Sequence, residues 1–150
     1  MVWIHGGGNT TGMPSEYNPE IFVKSENIIF VSISYRLGIF GWLSHPELRE
    51  QNGIDSSSNF GLLDQIMALK WIKENIQFFG GNPNNITIFG ESAGGQNVIA
   101  LYSSPLAKGL FDRAISQSGG TSVTSIKDAE KINRSDPRYT SSYKLSLIHI

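Results

Sequence analysis

Ile86-Thr87-Ile88-Phe89-Gly90-Glu91-Ser92-Ala93-Gly94-Gly95 passes from strand-forming to small residues within ten positions. Three β-branched residues and a phenylalanine favour a strand over 86–90. From Ala93 to Ser103 the chain then accepts a helix. Gly90 to Gly94 therefore reads as G-x-S-x-G at a strand-to-helix bend, the setting in which that pattern has a mechanism. A serine at so sharp a bend is forced into sparsely populated backbone. The residues two before and two after it must be small, because a Cβ would collide across the turn. Such a bend lifts Ser92 Oγ clear of the sheet. It also leaves the first N–H groups of the helix unpaired, with the positive end of the helix dipole behind them. Ser92 is thus the candidate nucleophile and Ala93 N–H a candidate donor to an oxyanion.

Working outward, strands and helices alternate. Residues 1–4 read as the end of an apolar strand that runs straight into Gly6-Gly7-Gly8. Residues 27–34 are apolar on both faces, as in a strand buried in a parallel sheet, and 18–25 leave room for a short helix. Over 59–79, Leu62, Ile66, Leu69, Ile72, Ile76 and Phe79 form one helical stripe. Asn59 is placed to cap it and Gly80-Gly81-Asn82-Pro83 to stop it. Residues 113–117 give a fourth strand. This alternation predicts right-handed crossovers and a parallel sheet covered on both faces, an α/β architecture.

His5-Gly6-Gly7-Gly8 also follows a strand. Without side chains its backbone can approach a bound carbonyl oxygen closely. Gly7 and Gly8 N–H, together with Ala93 N–H, would make a three-donor oxyanion hole. The ring of His5 is read as an anchor for that loop.

Composition narrows the remaining classes. One domain is the default for 150 residues, and 39% hydrophobic residues suffice for a core. Twelve Lys plus Arg against thirteen Asp plus Glu leave a net charge of -1, so there is no electrostatic footprint for nucleic acid. No apolar run is long enough to span a bilayer, and no signal peptide is visible. Compartment and oligomeric state stay open. The absence of Cys excludes disulfides, thiolate metal sites and cysteine nucleophiles. Trp3, Trp42 and Trp71 read as core or pocket wall, and His45 as a surface residue.

Taken in order, these motifs resemble the type-B carboxylesterase family of the α/β-hydrolase fold. The resemblance rests on the two glycine-bearing motifs and on Ser34-Tyr35-Arg36-Leu37-Gly38 and Asn59-Phe60-Gly61-Leu62-Leu63-Asp64-Gln65. Gly80-Gly81-Asn82-Pro83 and Phe111-Asp112-Arg113-Ala114-Ile115-Ser116-Gln117-Ser118-Gly119 extend it. It implies a partial α/β-hydrolase catalytic domain over 1–124, made of central parallel strands with flanking helices. A further helical region starts over 125–144, and 145–150 resembles a translated adapter end, a non-native tail. It implies Ser92 as nucleophile, Gly7, Gly8 and Ala93 as oxyanion donors, and Glu91 and Ser118 as groups near the catalytic imidazole. Arg36 and Asp64 would be a buried structural ion pair, and Glu91 is read equally as catalytic or structural. The substrate would be a small-molecule ester, and neither metal nor cofactor is required.

The sequence departs from the family pattern in three ways, one being the absence of Cys where secreted members often have several. Asn9 follows the glycines where an aromatic is usual, which leaves the pocket's shape and substrate preference open. The family's triad acid and histidine lie far downstream of the serine, yet only 58 residues follow Ser92. The chain therefore reads as a fragment without them, inactive alone.

Other functions fit less well. Gly90 and Gly95 have the spacing of a phosphate loop, but Gln96-Asn97 stands where Lys-Ser/Thr is required. The dinucleotide fingerprint lacks both its third glycine and its carboxylate. A non-catalytic adhesion or binding member of the same fold remains the alternative, although such proteins usually lack the nucleophile.

Overall fold

Four short strands, all parallel, organise the residues that the computed structural model describes, 1–45 and 58–121. They are β1 (Val2–Ile4), β2 (Val31–Ile33), β3 (Thr87–Glu91) and β4 (Arg113–Gln117), in the order β2-β1-β3-β4. Parallel neighbours need long crossovers. These carry α1 (Glu20–Glu26), α2 (Gly38–Trp42), α3 (Phe60–Asn75) and α4 (Ala93–Ser103). The expected alternation of strand and helix is therefore present. Residues 125–144 and the 145–150 tail lie outside the described residues.

Register divides the side chains between two faces. Val2 aligns with Ile88, and Ile4 with Ile33. These four residues share the core with Leu62, Ile66, Leu69 and Ile72 of α3 and Val98, Ala100 and Leu101 of α4. Trp3 aligns with Phe89, and the alternation of side chains along a strand sends this pair to the opposite face. There they meet Tyr17, 4.8 Å from Trp3, and Phe30, 5.8 Å from Phe89. The two faces are thus covered unequally, helices on one and an aromatic cluster on the other, since α1 buries none of its residues.

Local differences from the sequence reading have physical causes. Strand β2 starts only at Val31, because α1 runs to Glu26 and Asn27 closes it in the left-handed region, φ 48°. Asn59 precedes α3 but makes no side-chain cap. Its carbonyl instead accepts from Leu62 and Leu63 N–H, both at 3.0 Å. Five stripe residues face inward, but the helix tightens to a 3-10 turn over Ile76–Phe79. Phe79, the last residue of that turn, is 64% exposed. Trp3 and Trp42 are buried, whereas Trp71 is 53% exposed on the outer side of α3, near Phe79. No helix among the described residues is long and apolar enough to cross a membrane.

Candidate active site

Strand β3 ends at Glu91 and α4 begins at Ala93, so Ser92 alone makes the bend, at φ 55° and ψ -120°. Those are the angles of the first central position of a type II′ turn, which glycine dominates because a Cβ is strained there. Such a residue carries about 1–3 kcal/mol of strain. The turn is closed on both sides. Ser92 N–H donates to the Gln117 carbonyl at 2.9 Å, and Gln96 N–H to the Ser92 carbonyl at 3.0 Å. A Cβ on Gly90 would lie 2.6 Å from the Gly94 carbonyl, and one on Gly94 would overlap the Ile4 carbonyl. Small residues are required at both positions, in agreement with the steric reading of the motif. Ser92 is exposed, and its hydroxyl does not cap its own helix.

The register Ile4 to Gly90 sets the end of β1 beside this bend. A Cβ on Gly6 would stand 2.9 Å from the Glu91 carbonyl oxygen and 3.5 Å from Ser92 Cβ. The glycine loop and the serine bend therefore converge. Gly7, Gly8 and Asn9 follow at φ 96°, 63° and 58°, three left-handed residues in succession. The Gly7 carbonyl accepts from Thr10 and Thr11 N–H at 3.1 and 3.0 Å and from both threonine hydroxyls. A trans peptide holds N–H opposite C=O, so fixing this carbonyl also fixes the direction of Gly8 N–H.

His5 supports the loop from beneath. Its ring is buried and stacks on Tyr35 at 4.4 Å. A carbonyl can only accept, so the 2.9 Å contact to the Gly6 oxygen places the proton on Nδ1. The Tyr35 hydroxyl donates to the His5 carbonyl at 2.6 Å, and burial pushes that phenol well above its ordinary range. Asn9 is turned away from solvent, 2% exposed, and its Oδ1 accepts from Asn97 Nδ2 at 2.9 Å. Asparagine suits this place because it tolerates a positive φ better than most residues. The Asn9 to Asn97 link was missed at the level of sequence. Its trace there is a polar residue, Asn97, within the apolar run of α4.

Glu91 is exposed at the end of β3, with Oε2 3.4 Å from the same notional Gly6 Cβ. Ser118 lies just past the end of the neighbouring β4, exposed and at φ 52°. Gly6, Glu91 and Ser92 are thus brought together, with Ser118 at the adjacent strand end. Arg36 and Asp64 do pair, Nε to Oδ2 and Nη2 to Oδ1 at 2.8 Å each, with Arg36 N–H adding a bond of 2.9 Å. The pair is not buried as expected, however, because the two side chains are 49% and 24% exposed. Partial burial pulls the Asp64 carboxyl upward, but the Arg36 hydrogen bonds and charge outweigh it and hold the group below its usual range. Of the other histidines, His45 is exposed and His149 lies outside the described residues. No group of three or more metal-ligating side chains occurs among the described residues.

Comparison with known proteins agrees with this fold. The model of the carboxylesterase family matches residues 1–137. Carboxylesterase 1D of Rattus norvegicus is 53% identical over 119 residues, covering 79% of this chain and 20% of its own. Liver carboxylesterase 1 of Oryctolagus cuniculus is 49% identical over 126 residues, covering 84% and 21%. A solved PNB esterase superposes with a TM-score of 0.75 at 44% identity, over 85% of this chain and 28% of that one. The chain spans about a fifth of the length of the curated relatives it matches.

Proposed function

The chain belongs to the carboxylesterase family, and from that premise we propose that the protein containing it is a serine carboxylic-ester hydrolase working through an acyl-enzyme. Ser92 Oγ attacks the ester carbonyl carbon while an imidazole takes its proton. The carbonyl oxygen becomes an anion that accepts from Gly7, Gly8 and Ala93 N–H, each donor contributing about 10²–10³ in rate. The alcohol leaves with the proton returned by the imidazole, and water then releases the acid from Ser92 by the same route. Glu91 and Ser118 orient that imidazole. His5 is committed to the loop, so the imidazole and its acid partner come from sequence beyond these 150 residues, which alone turn over no ester. Loss of the serine or the histidine from such a triad costs about 10⁶ in kcat, as in subtilisin.

The observation that carries this reading is the backbone of Ser92, φ 55° and ψ -120°, with Gly6 packed against it. Strain of that kind persists where the surroundings impose it, and it clusters at active sites. The test is covalent labelling of the full-length polypeptide by a fluorophosphonate. Labelling is expected in the wild type and absent in Ser92→Ala. A wild type that takes no label would give way to the non-catalytic binding reading.

A further inference from the structure

We infer that Asn97 is a positioning residue, the point by which the oxyanion loop is set against the helix that carries the nucleophile; this rests on the ester-hydrolase reading above. Asn97 lies five residues after Ser92 on α4 and is fully buried. Its Nδ2 donates to Asn9 Oδ1 at 2.9 Å. The Tyr35 hydroxyl, beside the same amide, donates to the His5 carbonyl at 2.6 Å. His5 and Asn9 are the residues immediately before and after Gly6, Gly7 and Gly8. The far end of a loop without side chains of its own is therefore held by the Asn97 amide, and its near end by Tyr35. The same helix supplies Ala93 N–H, so a shift at Asn97 changes the spacing between the two halves of the oxyanion site.

Packing does not explain the residue. Among the described residues Asn97 Oδ1 is buried without a partner, a cost in stability that an apolar side chain would avoid. The neighbours Val98, Ala100 and Leu101 show that this helix is otherwise built from such side chains.

Asn97→Leu keeps the branching at Cγ and removes the donors, but its side chain is larger, so Asn9→Gly, which adds no volume, is measured beside it. In the full-length polypeptide, kcat on a soluble ester is expected to fall about 10–100-fold, the scale of a misplaced catalytic group. KM should change by less than about twofold, because interactions made only in the transition state act on kcat. The rate of fluorophosphonate labelling should fall by the same factor as kcat. Asn9→Gly, which accepts the positive φ and removes the acceptor, should act in the same direction. Val98→Ala should lower the melting temperature without altering kcat. Hydrogen exchange at the amides of residues 7–11 should speed up in Asn97→Leu and Asn9→Gly but not in Val98→Ala. Unchanged kcat and exchange in a folded Asn97→Leu or Asn9→Gly would overturn the proposal, as would a loss confined to KM. A wild type that is neither labelled nor active sinks the ester-hydrolase reading instead, and exchange then still decides whether Asn97 holds the loop.

Discussion

Exchanging Ser92 for glycine should stabilise the protein relative to exchanging it for alanine, reversing the usual order of these two residues. Both variants lose the hydroxyl, which makes no capping bond, so their difference isolates the backbone. At an ordinary position in a helix or strand, glycine is less stable than alanine by about 0.5–1 kcal/mol because it loses more freedom on folding. At φ 55° and ψ -120° the alanine Cβ carries about 1–3 kcal/mol of strain that glycine does not. The balance favours glycine by up to about 2.5 kcal/mol. Urea denaturation of the two full-length variants, followed by circular dichroism and compared at equal slope, measures it. Alanine equal to or more stable than glycine would refute the strained bend, and with it the physical ground for reading Ser92 as a nucleophile.

Other expectations follow from the same geometry. Gly94→Ala drives a Cβ into the Ile4 carbonyl, and since backbone cannot give way as a flexible side chain can, a loss of about 2–4 kcal/mol is expected in the same assay. A loss well under 1 kcal/mol would mean that β1 and α4 approach each other less closely than this contact requires. Asp64→Asn should cost only about 1 kcal/mol at neutral pH, because the pair with Arg36 is half exposed. The Asp64 carboxyl is held below its ordinary value, so its contribution is complete above the carboxylate range near pH 4 and fades as pH falls through the lowered value. The stability gap between wild type and Asp64→Asn should accordingly close in denaturation curves taken toward pH 3. A gap that persists there would assign the effect to packing.

The strand and helix positions over 86–103 could be read from residues alone, as could the stripe from Leu62 to Ile76. Periodicity and propensity act within a few positions of each residue. The strain at Ser92 was legible for the same reason, since a bend between strand and helix leaves few allowed angles. The oxyanion loop was legible in kind, from its glycines, but its three successive positive φ values required the threonine bonds to the Gly7 carbonyl. Solvent access at Trp71, Phe79 and the Arg36–Asp64 pair was not legible, because exposure depends on which elements happen to pack nearby.

By itself the sequence determined that a serine stands at a strand-to-helix bend and that a side-chain-free loop follows another strand. Both are consequences of local sterics. The tertiary structure alone decided that the two meet. Strand order β2-β1-β3-β4 sets β1 against β3, Gly6 falls beside Ser92, and Asn9 finds Asn97 across 88 residues of chain. No rule of spacing reaches so far, because partners at that separation are selected by the packing of the whole core.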